Sequence, residues 1–103
     1  MTGTYITDIT HYLDDAGNLV KDMPSEAKQL ASFVALIVDF TSLNCPEVFV
    51  GTEIPCRNEG CTEETLSRYD PETKEIVWHC PICGHAGVVR NWQNTKWDQR
   101  EAK

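Results

Sequence analysis

The alternation of apolar and polar positions divides the chain into one helical stretch and several strand-like ones. Between Pro24 and Leu43, apolar residues recur at helical spacing. Ala27, Leu30, Ala31, Phe33, Val34, Ile37, Val38 and Phe40 fall on one side of the wheel. That side spans about half the circumference, against the roughly 100° stripe usual for a surface helix. Lys28, Ser32, Asp39 and Ser42 form a narrow polar stripe opposite, with Leu36 and Leu43 beside it. Asp22 or Ser25 is placed to cap the start, Pro24 is acceptable in the first turn, and the helix stops before Pro46. So broad an apolar face predicts a helix laid across a sheet made by the rest of the chain, or one that partly meets a second copy.

The remaining pattern is that of strands. Thr4 to Leu13, rich in Thr, Ile and Tyr, predicts a strand closed by the turn cluster Asp14 to Asn18, with a short return at Leu19-Val20. Asp14 and Asp15 lack the Asp-x-Asp-x-Asp-Gly spacing of a calcium loop, which makes this a plain turn. Val48, Val50, Thr52 and Ile54 alternate with Phe49, Gly51 and Glu53 and predict a second strand. Thr65 to Tyr69 and Glu75 to His79 flank Asp70-Pro71-Glu72-Thr73-Lys74, where proline after aspartate signals a type I turn and hence a hairpin. Ala86 to Trp92 adds a further strand. The fold expected is α+β, a single domain over 1–103. It has an antiparallel sheet including a C-terminal ribbon (56–98), a strand-helix-strand part before it (1–55), a polar tail (99–103), and one amphipathic helix packed on the sheet.

Four cysteines give that ribbon its chemistry. Cys56 and Cys61 enclose four residues, Cys80 and Cys83 enclose two, and eighteen residues separate the pairs. A hairpin midway would bring one pair against the other. Gly60 and Gly84 supply conformational freedom in the two loops. Four thiolates make a tetrahedral soft-ligand site, which suits one structural zinc ion, and iron remains a chemical alternative. Thiol–disulfide exchange would need only Cys80 and Cys83, ideally at a helix start that lowers a thiol's pKa, whereas this pair follows a strand. His79 is expected to point away from the sulfurs and His85 to bond locally. Cys45, beside Pro46, reads as a partly buried thiol outside the site, or more remotely as a spare ligand. No nucleophile elbow, phosphate-cradling glycine loop or H-E-x-x-H occurs, so the expectation is a non-enzymatic protein.

Charge and composition narrow the partners. The chain carries a formal charge of −7. Residues 1–55 hold two basic and eight acidic side chains, a net of −6; residues 56–103 hold seven and eight, a net of −1. An acidic chain is poorly suited to a phosphate backbone. The apolar fraction of 41% is ordinary for a folded soluble protein. Neither a signal-peptide pattern at Met1 to Asp15 nor a membrane-spanning run is present, which predicts a cytoplasmic protein with reduced thiols. Trp78, Trp92 and Trp97 all fall in the last quarter of the chain. They read as core filling for a thin ribbon, or, for Trp92 and Trp97, as an exposed partner surface.

The stretch W-H-C-P-I-C-G-H-A-G-V-V-R-N-W-Q-N-T-K-W-D, residues 78–98, resembles the C-terminal part of small bacterial zinc-ribbon proteins of unassigned function. His11 to Leu19 is similar to their H-Y-L-D-x-x-G-x-L stretch. The resemblance implies Cys56, Cys61, Cys80 and Cys83 as ligands and implies no activity. The function expected is a structural-zinc protein that binds a protein partner, or a second copy through the 25–43 helix. Its alternatives are a nucleic-acid-binding accessory factor and a metal- or redox-responsive regulator.

Overall fold

A computed structural model describes residues 4–56, 61 and 63–100. Its elements are β1 (Thr4–Asp8), a 3-10 turn (Ile9–Tyr12), α1 (Ser25–Asn44), β2 (Val50–Pro55), β3 (Glu64–Asp70), β4 (Glu75–His79) and β5 (Ala86–Arg90). The strands form one sheet in the order β1-β5-β4-β3-β2, with α1 across one face. Strands β2 to β5 are antiparallel neighbours, as the expected antiparallel sheet requires, and β3 and β4 form the hairpin signalled by Asp70-Pro71. β1 differs: it lies parallel to β5, from Thr4 opposite Ala86 to Asp8 opposite Arg90. A tight turn dictates an antiparallel neighbour, whereas β1 reaches the sheet through the long α1 connection, which leaves either direction open.

β1 is also shorter than the residues Thr4 to Leu13 suggest. The Asp8 carboxylate accepts hydrogen bonds from the Thr10 backbone N–H at 3.0 Å and from the Thr10 hydroxyl, capping the 3-10 turn. The chain therefore leaves the sheet at Ile9, whose side chain is fully buried. The return at Leu19 exists as a single bridge to Leu13. Within the turn, Asp14 accepts from the N–H groups of Ala16 and Asn18 and so closes the loop.

Helix α1 buries Ala31 and packs Phe33, Val34, Ala35, Ile37 and Val38 against Ile76, Trp78, Val89 and Trp92. Phe33 meets Trp78 edge-on, with centroids 4.9 Å apart. Beneath that indole the sheet has no room for a side chain: a Cβ at Gly87 would lie 2.5 Å from the Trp78 ring. Pro24 occupies the N-cap with no side-chain cap, so neither Asp22 nor Ser25 performs that role. The last turns of the helix depart from the wheel reading. Phe40, expected in the core, is exposed, and Ser42, expected outside, is buried. Three hydrogen bonds explain the difference. Thr41 and the buried Ser67 of β3 share a hydroxyl–hydroxyl bond at 2.7 Å. The Ser42 hydroxyl donates to the Trp97 carbonyl at 3.1 Å and accepts from the Gln99 N–H at 2.8 Å. Ser42 thereby docks the C-terminal segment, and Leu36, Phe40 and Leu43 are left on the outer side.

Trp92 is completely buried at the end of the sheet away from the cysteines. Its indole N–H donates to the Lys74 carbonyl in the β3–β4 turn at 3.1 Å, and Tyr69 packs edge-on at 6.0 Å. Arg100 lies over the ring at 5.0 Å, and Trp97 packs against the same core. A partner surface built on Trp92 is therefore corrected: the ring fills the core, as the reading of the tryptophans as core filling expects. No helix among the described residues is long and apolar enough to cross a membrane.

Candidate metal centre

Two adjacent strand pairs bring the four cysteines together. Cys56 follows β2, and Cys61 lies shortly before β3; Cys80 follows β4, and Cys83 precedes β5. Because β2, β3, β4 and β5 are consecutive antiparallel neighbours, both loops emerge at the same end of the sheet. Backbone bonds close each strand pair up to its loop. The Cys56 N–H donates to the Glu63 carbonyl at 2.8 Å, and the Cys80 N–H to the His85 carbonyl at 2.7 Å. Gly84, at φ 80°, turns the second loop back so that its N–H donates to the Cys80 carbonyl at 3.0 Å. The left-handed region that this turn requires is open to glycine at little cost. Gly60, the glycine expected to free the first loop, lies outside the described residues.

The four Sγ atoms all lie within 4.8 Å of one another. Cys56 and Cys83 approach to 3.5 Å, and Cys61 and Cys80 to 3.6 Å, so each close contact joins one loop to the other. A disulfide would need sulfurs about 2.05 Å apart, and none of the five cysteines is in one. A tetrahedral zinc site with Zn–S near 2.3 Å has an S···S edge of roughly 3.8 Å. The observed cluster has that size. Its donors are all soft sulfur, and Cys56 and Cys80 are buried while Cys61 and Cys83 are half-buried.

Within the cluster, the Cys61 thiol resists ionisation on its own. The Glu63 backbone lowers the pKa of the Cys61 thiol, but desolvation and the bond with Cys80 leave it above the ordinary thiol value. Four thiols packed this closely would ionise together only around a cation, and binding one would release their protons. The histidines take the places expected from the sequence. His79, the last residue of β4, lies on the face away from the helix and meets Phe49 edge-on at 4.4 Å. His85 Nδ1 sits 3.8 Å from Cys83 Sγ, beside the cluster as a neighbour of one sulfur. Cys45 lies at the C-cap of α1 with φ 43°, its Sγ 3.5 Å from the Ser42 carbonyl, and packs against the helix-side core rather than among the four sulfurs.

One surface feature was missed by the sequence reading. Leu36, Asp39, Phe40 and Leu43 of α1 and Thr52 and Ile54 of β2 line an open groove of about 320 Å³. The i, i+4, i+7 spacing of Leu36, Phe40 and Leu43 was visible, but which side of the helix the sheet would cover was not.

Compared with family models, with curated proteins and with solved structures, the chain matches none. The four-cysteine cluster carries the likeness to zinc-ribbon proteins as far as a possible metal site.

Proposed function

We propose that the protein is a structural-zinc module without catalytic activity, in which Cys56, Cys61, Cys80 and Cys83 hold one Zn2+ and the rest of the surface serves protein recognition. The observation that carries the reading is the gathering of four sulfurs from two loops within 4.8 Å, at contact distances close to the edges of a zinc tetrahedron. Four protein ligands leave no open coordination position for substrate, which is the pattern of structural rather than catalytic zinc. The module's role is then to present a surface. The groove between α1 and β2 supports this, since Leu36, Phe40 and Leu43 are exposed together. Asp39 lies among them, so the groove suits a protein segment that brings apolar side chains and a cation.

Elemental analysis of protein purified without added metal tests the metal directly. One zinc per chain is expected, and the Co2+-substituted protein should show the intense thiolate-to-metal absorption of a tetrahedral four-sulfur site. Stoichiometric iron, or no metal at all, would refute the assignment.

A further inference from the structure

The two edges of the sheet are finished differently. β2, at one edge, carries devices that discourage a further strand. Glu53 sits at φ 62°, the register with β3 is broken between Gly51 and Pro55, and the strand ends in proline. β1, at the other edge, has none of these. Its sequence Thr-Tyr-Ile-Thr-Asp is rich in strand-forming residues, its register with β5 is unbroken, and no other strand pairs with it among the described residues. An unblocked edge presents a row of backbone donors and acceptors that another strand can satisfy.

The face of the sheet away from α1 points to the same edge. Residues that register across the strands place Ile6, Val88 and Val77 side by side, an apolar row running into β1. Outward faces of antiparallel sheets are commonly polar, and this row is not. Ile6, at its end, is 63% exposed.

We infer that β1 pairs antiparallel with β1 of a second copy about a two-fold axis through Ile6, joining two five-stranded sheets into one of ten. The strand is self-complementary in that arrangement. Ile6 meets Ile6 of the other copy, and the two apolar rows become one continuous belt. Asp8, the only charged residue of the strand, falls opposite Thr4 and not opposite itself. The two Asp8 residues then stand about four strand positions apart, roughly 13 Å, beyond the Debye length of about 10 Å at moderate salt. The net charge of −7 therefore does not oppose the contact locally. The helix groove carries a charge, Asp39, among its apolar side chains, whereas the row of Ile6, Val88 and Val77 carries none. A five-residue edge contact buries well under the roughly 800 Å² per partner of a standard interface, so the pairing is reversible and concentration-dependent.

Analytical ultracentrifugation of the metal-loaded full chain tests the inference on three proteins. The wild type should rise with concentration from the 11.6 kDa of one chain toward twice that mass. Ile6→Lys, a change on an exposed side chain, should remain at the mass of one chain with unchanged metal content. Phe40→Lys, in the groove, should associate as the wild type does. Amide exchange on the wild type supplies a readout that needs no variant: the β1 amides should slow at high concentration while those of β2 do not. A wild type that stays monomeric at every concentration would overturn the inference. So would association that Phe40→Lys abolishes and Ile6→Lys leaves intact, or β1 amides whose exchange ignores concentration.

Discussion

At one end of the sheet, Cys56, Cys61, Cys80 and Cys83 meet in a cluster whose sulfurs join the two loops by direct contact. At the other end, Trp92 is sealed between the β3–β4 turn, Tyr69 and Arg100, and the helix supplies the cover. One end is closed by four sulfur donors that could hold a metal ion, the other by apolar volume and a few directed hydrogen bonds. The difference teaches where each end is vulnerable. Apolar packing degrades by increments, as single side chains shrink. A four-ligand site has no such gradation, because losing one ligand or the ion leaves the remaining sulfurs crowded with nothing to bind them.

The largest expected effect follows from that contrast. Structural zinc in model peptides contributes apparent binding free energies on the order of 10–16 kcal/mol. A domain of this size is held by about 5–15 kcal/mol in total. Cys56→Ser, Cys61→Ser, Cys80→Ser and Cys83→Ser are each expected to abolish cooperative thermal unfolding, followed by circular dichroism. Cys45→Ser, outside the cluster, should change stability by no more than about 1 kcal/mol. A well-folded Cys80→Ser would show that the sulfur end needs no metal.

Trp92→Ala comes next and breaks the opposite end. It is expected to cost about 3–5 kcal/mol in urea unfolding while the folded fraction keeps its full metal content. Were the variant to lose metal in proportion to stability, the two ends would be one cooperative unit.

The smallest effect is a pH dependence of the C-terminal segment. Burial pushes the Asp98 carboxyl up, but hydrogen bonds from the Arg100 guanidinium and from the Asn94 and Arg100 N–H groups outweigh it and leave the pKa below the usual carboxylate value. A carboxyl lowered in the folded state stabilises above its unfolded pKa, near 3.8, and the contribution disappears as pH falls through the lower folded value. Arg100 is partly exposed, so the pair is worth at most about 1 kcal/mol. Below about pH 4, the Asn94 and Arg100 amides should exchange faster than in the Asp98→Asn variant's own pH series, where no such step is expected.

How legible this molecule was in its sequence depended on whether the deciding interaction was local. The Cys spacings, the Asp70-Pro71 turn and the helical period each act over a few residues, and each led to the right element or gathering. The parallel placement of β1 depends on a neighbour some eighty residues away. The exchange of Phe40 for Ser42 at the buried face depends on the return of Trp97 and Gln99, over fifty residues on. The wheel ranked those positions by hydropathy alone, and two hydrogen bonds to a distant segment outweighed it. Trp92 was legible only as a choice between core and surface; the Lys74 carbonyl that receives its N–H belongs to a turn eighteen residues earlier.

The direct test of a metal-organised sheet end is amide exchange before and after chelation. With metal removed, the β2–β3 and β4–β5 amides nearest the cysteines, among them Cys56 and Cys80, should lose their protection. Protection that survives with the metal gone, or sulfurs found oxidised to one another in the purified protein, would contradict the account.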